Sequence, residues 1–116
     1  MTKEVIEAQW NAYFSAFGTV ADEERDRLLE QCVSEDLVFT NPGGSGKTRL
    51  GLTAHIEDFR RKMPGMYFGT DKLFFQEKQF LAIWSMYKPD QTKVATGYNF
   101  VTLDDDGKFN YMAGFF

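Results

Sequence analysis

The strands in the last third of this chain are apolar on both of their faces. Along Phe80–Tyr87, Phe80, Ala82, Trp84 and Met86 alternate with Leu81, Ile83 and Tyr87. At the C-terminal end Phe109, Tyr111, Ala113 and Phe115 oppose Met112 and Phe116. An antiparallel sheet wetted on one side alternates apolar with polar residues. A sheet that does not alternate needs cover on both sides, and the rest of the chain has to supply at least one of them.

The preceding residues read as helices. Ile6, Trp10, Tyr13, Phe14 and Phe17 recur at helical spacing between Thr2, a candidate N-cap, and Gly18, a candidate stop. Thr19 is the expected cap of a second helix, whose Asp22, Glu23 and Glu24 suit the positive N-terminal end and whose Leu28, Leu29 and Cys32 form its buried stripe. Leu37–Thr40 reads as a short strand, closed by Asn41-Pro42-Gly43-Gly44 and a glycine-rich surface loop running to Gly51. Leu52, Ile56, Phe59 and Met63 mark a third helix, ended by Pro64-Gly65. Arg60, Arg61 and Lys62 read as its solvated, basic end, favoured there by the helix dipole. Strands follow around Phe74-Phe75, Phe80–Tyr87, Val94–Leu103 and Phe109–Phe116, with turns at Pro89-Asp90 and Asp104–Gly107. Helices first and long antiparallel strands last give an α+β fold. Three helices cover one face of the sheet. The expected cover for the other is a second copy of the chain, through an isologous sheet-to-sheet contact.

Charge and residue counts narrow the function classes. The 116 residues are expected to form one domain. Thirteen Lys and Arg against seventeen Asp and Glu give a net charge of −4, which argues against a nucleic-acid backbone as partner. No apolar run approaches the ~20 residues that span a bilayer, and the Glu4- and Glu7-bearing start does not read as a secretory signal, so the expectation is a cytoplasmic protein with no membrane partner. One histidine and one cysteine, Cys32, leave no expected metal centre or internal disulfide. The run Asp104–Asp106 lacks the later bidentate acid of a calcium loop and reads as a turn.

Gly43–Thr48 imitates a phosphate-binding loop, but the pattern requires a glycine at the position held by Asn41, and Gly51 interrupts the helix that should follow. It is set aside.

Four strings in order carry a resemblance over the whole chain, residues 1–116. They are Trp10–Phe14, Val33–Pro42, the Gly51 helix with Ile56 and Phe59, and the hairpin Asn99–Phe109. Together they resemble the nuclear transport factor 2-like superfamily, and within it the SnoaL-like and ketosteroid isomerase-like proteins. The resemblance implies a cystatin-like cone, in which about three N-terminal helices pack in a strongly curved, mainly antiparallel sheet. It also implies a pocket at the open end and a homodimer through the sheet. In ketosteroid isomerases a strand carboxylate takes a proton from beside a carbonyl, while a tyrosine and a protonated carboxylic acid stabilise the enolate. Laid on this chain, the tyrosine falls on Tyr13, the base on Asn41 and the second donor on Asn99. Both carboxyl groups are therefore carboxamides here. Asparagine donates and accepts hydrogen bonds but takes up no proton near neutral pH, so Asn41 is no base.

His55, at the edge of the third helix's apolar stripe, reads either as the remaining proton carrier, with Asp58 three residues on available to orient it, or as a half-exposed helical histidine with a local carboxylate neighbour. Trp10 and Trp84 are expected to line the pocket with Asn41 and Asn99, while Phe14 and Phe17 are assigned to the core. Two readings stay open. One is a cofactor-independent isomerase, lyase or cyclase acting on an apolar carbonyl or hydroxyl compound, with Tyr13 and His55 as catalytic residues. The other is a non-catalytic binding or dimerisation module. Whether Tyr13, Asn41, His55 and Asn99 converge on one cavity separates them.

Overall fold

Thr2 opens α1 (Lys3–Phe17) by accepting a hydrogen bond from the Val5 amide at 3.2 Å, and Gly18 closes it. A computed structural model describes residues 2–116. Helix α2 (Asp22–Cys32) begins two residues later than a Thr19 cap would place it. Its cap position is Ala21, which makes no side-chain bond, so the acidic first turn alone meets the helix dipole.

The first strand is longer than its apolar core suggests: β1 spans Val33–Asn41. The glycine-rich stretch is not an irregular loop. Gly44–Lys47 forms β2, which pairs antiparallel with the end of β1, Phe39 lying opposite Gly46. A Cβ on Gly46 would come within 2.6 Å of the Phe39 ring, so the glycine is what lets the ring lie against β2. Thr48 caps α3 (Arg49–Lys62), which therefore starts three residues before Leu52; its hydroxyl accepts from the Gly51 amide at 3.0 Å.

The long strands follow as β3 (Tyr67–Gln76), β4 (Gln79–Tyr87), β5 (Lys93–Leu103) and β6 (Phe109–Phe115). They make a six-stranded curved sheet in the order β2-β1-β6-β5-β4-β3, antiparallel except where β1 runs parallel to β6. The fold is α+β, with three helices packed against that sheet.

The helices bury the inner face of the sheet. Trp10 is wholly enclosed, stacked on Tyr13 at 4.9 Å and edge-on to Phe80 at 5.5 Å, and with Phe109 it seals one end of the core. Arg25 is buried beside Asp22, Asp26 and Glu57 and so joins α2 to α3. Arg60, expected in solvent, instead donates to the Ala16 carbonyl at 2.8 Å and ties α3 to the end of α1. The outer face is apolar and open within one chain. Phe74 pairs across strands with Leu81, and Tyr98 with Phe115, and all four are exposed.

Candidate functional site

At the end of the cone opposite Trp10, the C-terminal half of α1, the length of α3 and the inner face of the sheet enclose a cavity of about 370 Å³. That is within the range of small-molecule sites. Its walls are largely aromatic. Phe14 stacks on Phe68 at 5.1 Å, and Phe68 meets Trp84 edge-on at 5.2 Å. Polar groups interrupt them: Tyr13 from α1, Thr40 and Asn41 from β1, His55, Asp58 and Lys62 from α3 and Asn99 from β5 all line this one space.

Strand register brings the two carboxamides together. Thr40 lies opposite Ala113 and Asn99 opposite Gly114, so Asn41 and Asn99 flank Gly114 from either side of β6. A Cβ on Gly114 would stand 3.4 Å from both Asn41 Cβ and Asn99 Oδ1. The glycine thus leaves open the gap between them.

Each amide is oriented by one protein hydrogen bond. The Trp84 indole donates to Asn99 Oδ1 at 2.9 Å, and because an indole only donates, the amide oxygen must face it. The indole itself lies flat over Gly97, where a Cβ would come within 2.2 Å of the ring. Asn41 Oδ1 accepts from the Gly43 amide at 2.8 Å, a tight turn that holds the mouth of the β1–β2 hairpin. In both residues the oxygen accepts one protein hydrogen bond and keeps a second lone pair.

His55 is half-buried, its ring 5.5 Å from that of Phe39 and 6.4 Å from that of Phe17. Burial holds its pKa below the ordinary value, against a weaker upward pull from Asp58. Asp58 does not orient the imidazole by a hydrogen bond. Its carboxylate is held instead by Lys62 at 2.9 Å and Arg61 at 2.5 Å, which keep it ionised. Burial, with the nearby Cys32 thiol, pushes the Tyr13 phenol well above its usual range, so it stays a neutral donor. Burial likewise pushes the Cys32 thiol up to about 12; its Sγ donates to the Leu28 carbonyl, and it is no nucleophile.

Of the sequence candidates, Tyr13, Asn41, His55, Trp84 and Asn99 meet at this cavity and Trp10 does not. Trp10 sits a turn earlier on α1, over Phe80 and Phe109, in the closed end of the core. Phe14 and Phe17, assigned to the core, are part of its buried cluster and line the cavity as well. Gly114, Phe68, Met86 and Phe116 also line it and were missed. Phe116 sets its ring 5.6 Å from Trp84. The inner-face register of β6 with Asn99 was the available signal for Gly114. Among the described residues no group of three or more His, Cys, Asp or Glu is placed to hold a metal ion, and no helix is long and apolar enough to cross a membrane.

Comparison with known proteins agrees with this architecture. A SnoaL-like family protein from Agrobacterium tumefaciens strain C58, named as a candidate isomerase, superposes with a TM-score of 0.86 at 27% identity, over 93% of each chain. A candidate polyketide cyclase from Sinorhizobium meliloti shares the fold at a TM-score of 0.75 and 12% identity, over 98% of this chain and 99% of its own. A protein with a cystatin-like fold from Methylobium petroleophilum does so at 0.79 and 17%, over 99% of this chain and 77% of its own. No protein of curated function matches the sequence. The family model for the SnoaL-like domain matches residues 10–112, which takes in both carboxamides, the histidine and the aromatic walls; the chain belongs to the SnoaL-like family.

Proposed function

We propose that this protein binds a small, largely apolar molecule with an oxygen function in the α1–α3–sheet cavity, and that His55 moves a proton on it without a cofactor. The observation that carries the reading is the convergence of Tyr13, Asn41, His55 and Asn99 on one otherwise greasy space. The reaction class is isomerisation, elimination or cyclisation of a carbonyl or hydroxyl compound. In it Tyr13 and Asn99 hold the oxygen, the aromatic walls exclude water, and a neutral imidazole acts as base. Two neighbours named as a candidate isomerase and a candidate polyketide cyclase run in the same direction. Asn41 favours a second reading, binding without catalysis, because the position that resembles a catalytic carboxylate holds a group that takes up no proton.

The test has two steps. Mass spectrometry of compounds carried through native purification identifies the ligand. Turnover of that ligand is then followed by wild type and His55→Gln. Loss of turnover with retained binding in the variant supports the catalytic reading. Binding with no turnover by wild type leaves the binding module.

The open outer face supports a homodimer through the sheet, since Phe74, Leu81, Tyr98 and Phe115 lie together there in solvent. Light scattering at micromolar concentration is expected to read twice the chain mass, and Tyr98→Lys with Phe115→Lys to halve it. A wild-type monomer refutes the dimer.

A further inference from the structure

Charge reaches the cavity at one place. Among the described residues that line it, with the His55 imidazole kept neutral by burial, the charged ones are Asp58 and Lys62, one turn apart on α3. Asp58 serves two cations, Lys62 at 2.9 Å and Arg61 at 2.5 Å, so the end of this helix carries positive charge in excess. Arg60 is turned away to the Ala16 carbonyl. The Pro64-Gly65 turn that follows lies against the β4–β5 turn, where a Cβ on Gly65 would come within 2.7 Å of Pro89 Cγ. Lys88 and Lys93 there bracket a single carboxylate, Asp90, and the strands on either side bring Met86 and Ala95 to the cavity. A chain of net charge −4 thus gathers surplus positive charge where α3 ends.

We propose that the ligand carries a carboxylate at one end of an apolar body, and that Lys62 reads it at the α3 end of the cavity. The inference rests on the ligand-binding reading above. A carboxylate carried deeper would lose its water among aromatic rings with no cation to meet it, a costly burial. At the α3 end it keeps part of its hydration and meets an ammonium whose carboxylate partner is shared. Arg61 continues to hold Asp58 when Lys62 turns to the ligand. A protonated amine in the same place meets like charge instead. The helix dipole accounts for cations at this terminus, but not for one of them lining the cavity.

The test uses three probes that differ only at one end: 5-phenylpentanoic acid, 5-phenylpentan-1-ol and 5-phenylpentylamine. Binding to the purified full chain is measured by calorimetry near pH 8, where the acid is ionised, the amine protonated and His55 neutral. At low salt the acid is expected to bind about threefold tighter than the alcohol, the scale of an ion pair open to water, with the amine weakest. The acid's lead should shrink at about 0.5 M salt, where exposed charges are screened. Lys62→Gln is expected to remove that lead, and Lys62→Glu to put the amine ahead of the acid. The Lys62 side chain is 71% exposed, so both variants are expected to fold, with Lys62→Gln the milder at a helix C-terminus. Lys3→Glu makes the same change of net charge at the start of α1 and is expected to leave the order of the probes as it is. An alcohol or amine that binds wild type as tightly as the acid overturns the carboxylate subsite and leaves the ligand cavity standing. So does an acid preference that survives Lys62→Glu, or one that Lys3→Glu reverses as well. Failure of all three probes to bind at millimolar concentration overturns the cavity reading with it.

Discussion

Replacing Gly97 with alanine tests whether the Trp84 indole is held where the site needs it. The added Cβ would stand 2.2 Å from Cζ2, 2.5 Å from Cη2 and 2.7 Å from Cε2 of Trp84. Carbon atoms rest ~3.5–4.0 Å apart, so the ring has to move by more than about 1 Å. Phe14, Phe68 and Phe116 pack edge-on against it, so the ring can shift only by giving up those contacts toward the cavity it lines. Overpacking of this kind costs about 1–3 kcal/mol. Displacing the indole also breaks its bond to Asn99, worth about 1 kcal/mol. Gly97 has no positive φ, so alanine adds no backbone strain and recovers about 0.5–1 kcal/mol of chain entropy. The net expectation is a loss of about 2 kcal/mol in urea unfolding, together with a shift of the Trp84 indole N–H resonance. In a Trp84→Leu background, where the clashing ring is gone, the same substitution should become neutral or stabilising. A Gly97→Ala protein within about 0.5 kcal/mol of wild type, or an equal penalty in both backgrounds, refutes the reasoning.

Two other perturbations follow from the same geometry. Burial lowers the His55 pKa in the folded state, so between that value and about 6.5 the unfolded chain binds more protons and stability rises with pH. The unfolding midpoint should therefore fall on acidification through the ordinary histidine range, and His55→Gln should remove that part of the dependence; an unchanged profile in the variant refutes it. Thr48 caps α3 from a left-handed backbone, φ 71°, so Thr48→Ala loses the cap and keeps the strain, costing about 1 kcal/mol in chemical denaturation. Thr48→Gly relieves the strain as it loses the cap and should lie near wild type.

The fold was legible because its signals are periodic. Helical spacing in Ile6–Phe17 and the two-sided apolar strands both survive in the structure, and so does the order of helices before sheet. What was misplaced depends on where along an element a face changes its neighbour. Trp10 and Tyr13 share one stripe of α1, yet Trp10 meets the closed end of the core and Tyr13 the cavity. Periodicity gives the stripe and carries no information about where the cone opens. Strand β2 was hidden because Gly44-Ser45-Gly46-Lys47 has no side-chain pattern; it exists through its ladder with β1 and the space that Gly46 leaves for Phe39. Arg60 read as solvated because its partner, the Ala16 carbonyl, lies 44 residues away in sequence. His55 and Asp58 were correctly placed near each other, but Lys62 and Arg61 claim the carboxylate first.

The carboxamides at positions 41 and 99 are more than carboxylates that have lost their charge. A carboxylate at 99 would accept from the Trp84 indole as Asn99 does, but its second oxygen would be another acceptor, or an acid if burial raised its pKa. The same holds at 41, where one oxygen is committed to the Gly43 amide whatever the residue. In each case one atom is fixed by the protein and the identity of the other decides the chemistry. Each carboxamide keeps an NH2 group beside its bonded oxygen, so both can donate to a ligand's oxygen and neither takes up a proton near neutral pH. In the proposed catalytic reading, proton abstraction falls to the opposite wall. There a half-buried histidine is kept neutral by its surroundings, and the carboxylate one turn along is already neutralised by Lys62 and Arg61. The proposed function rests on this separation of the two sheet carboxamides from the histidine on α3. On that reading a carboxamide at position 41 supplies no strand base, and His55 is left as the group that moves the proton.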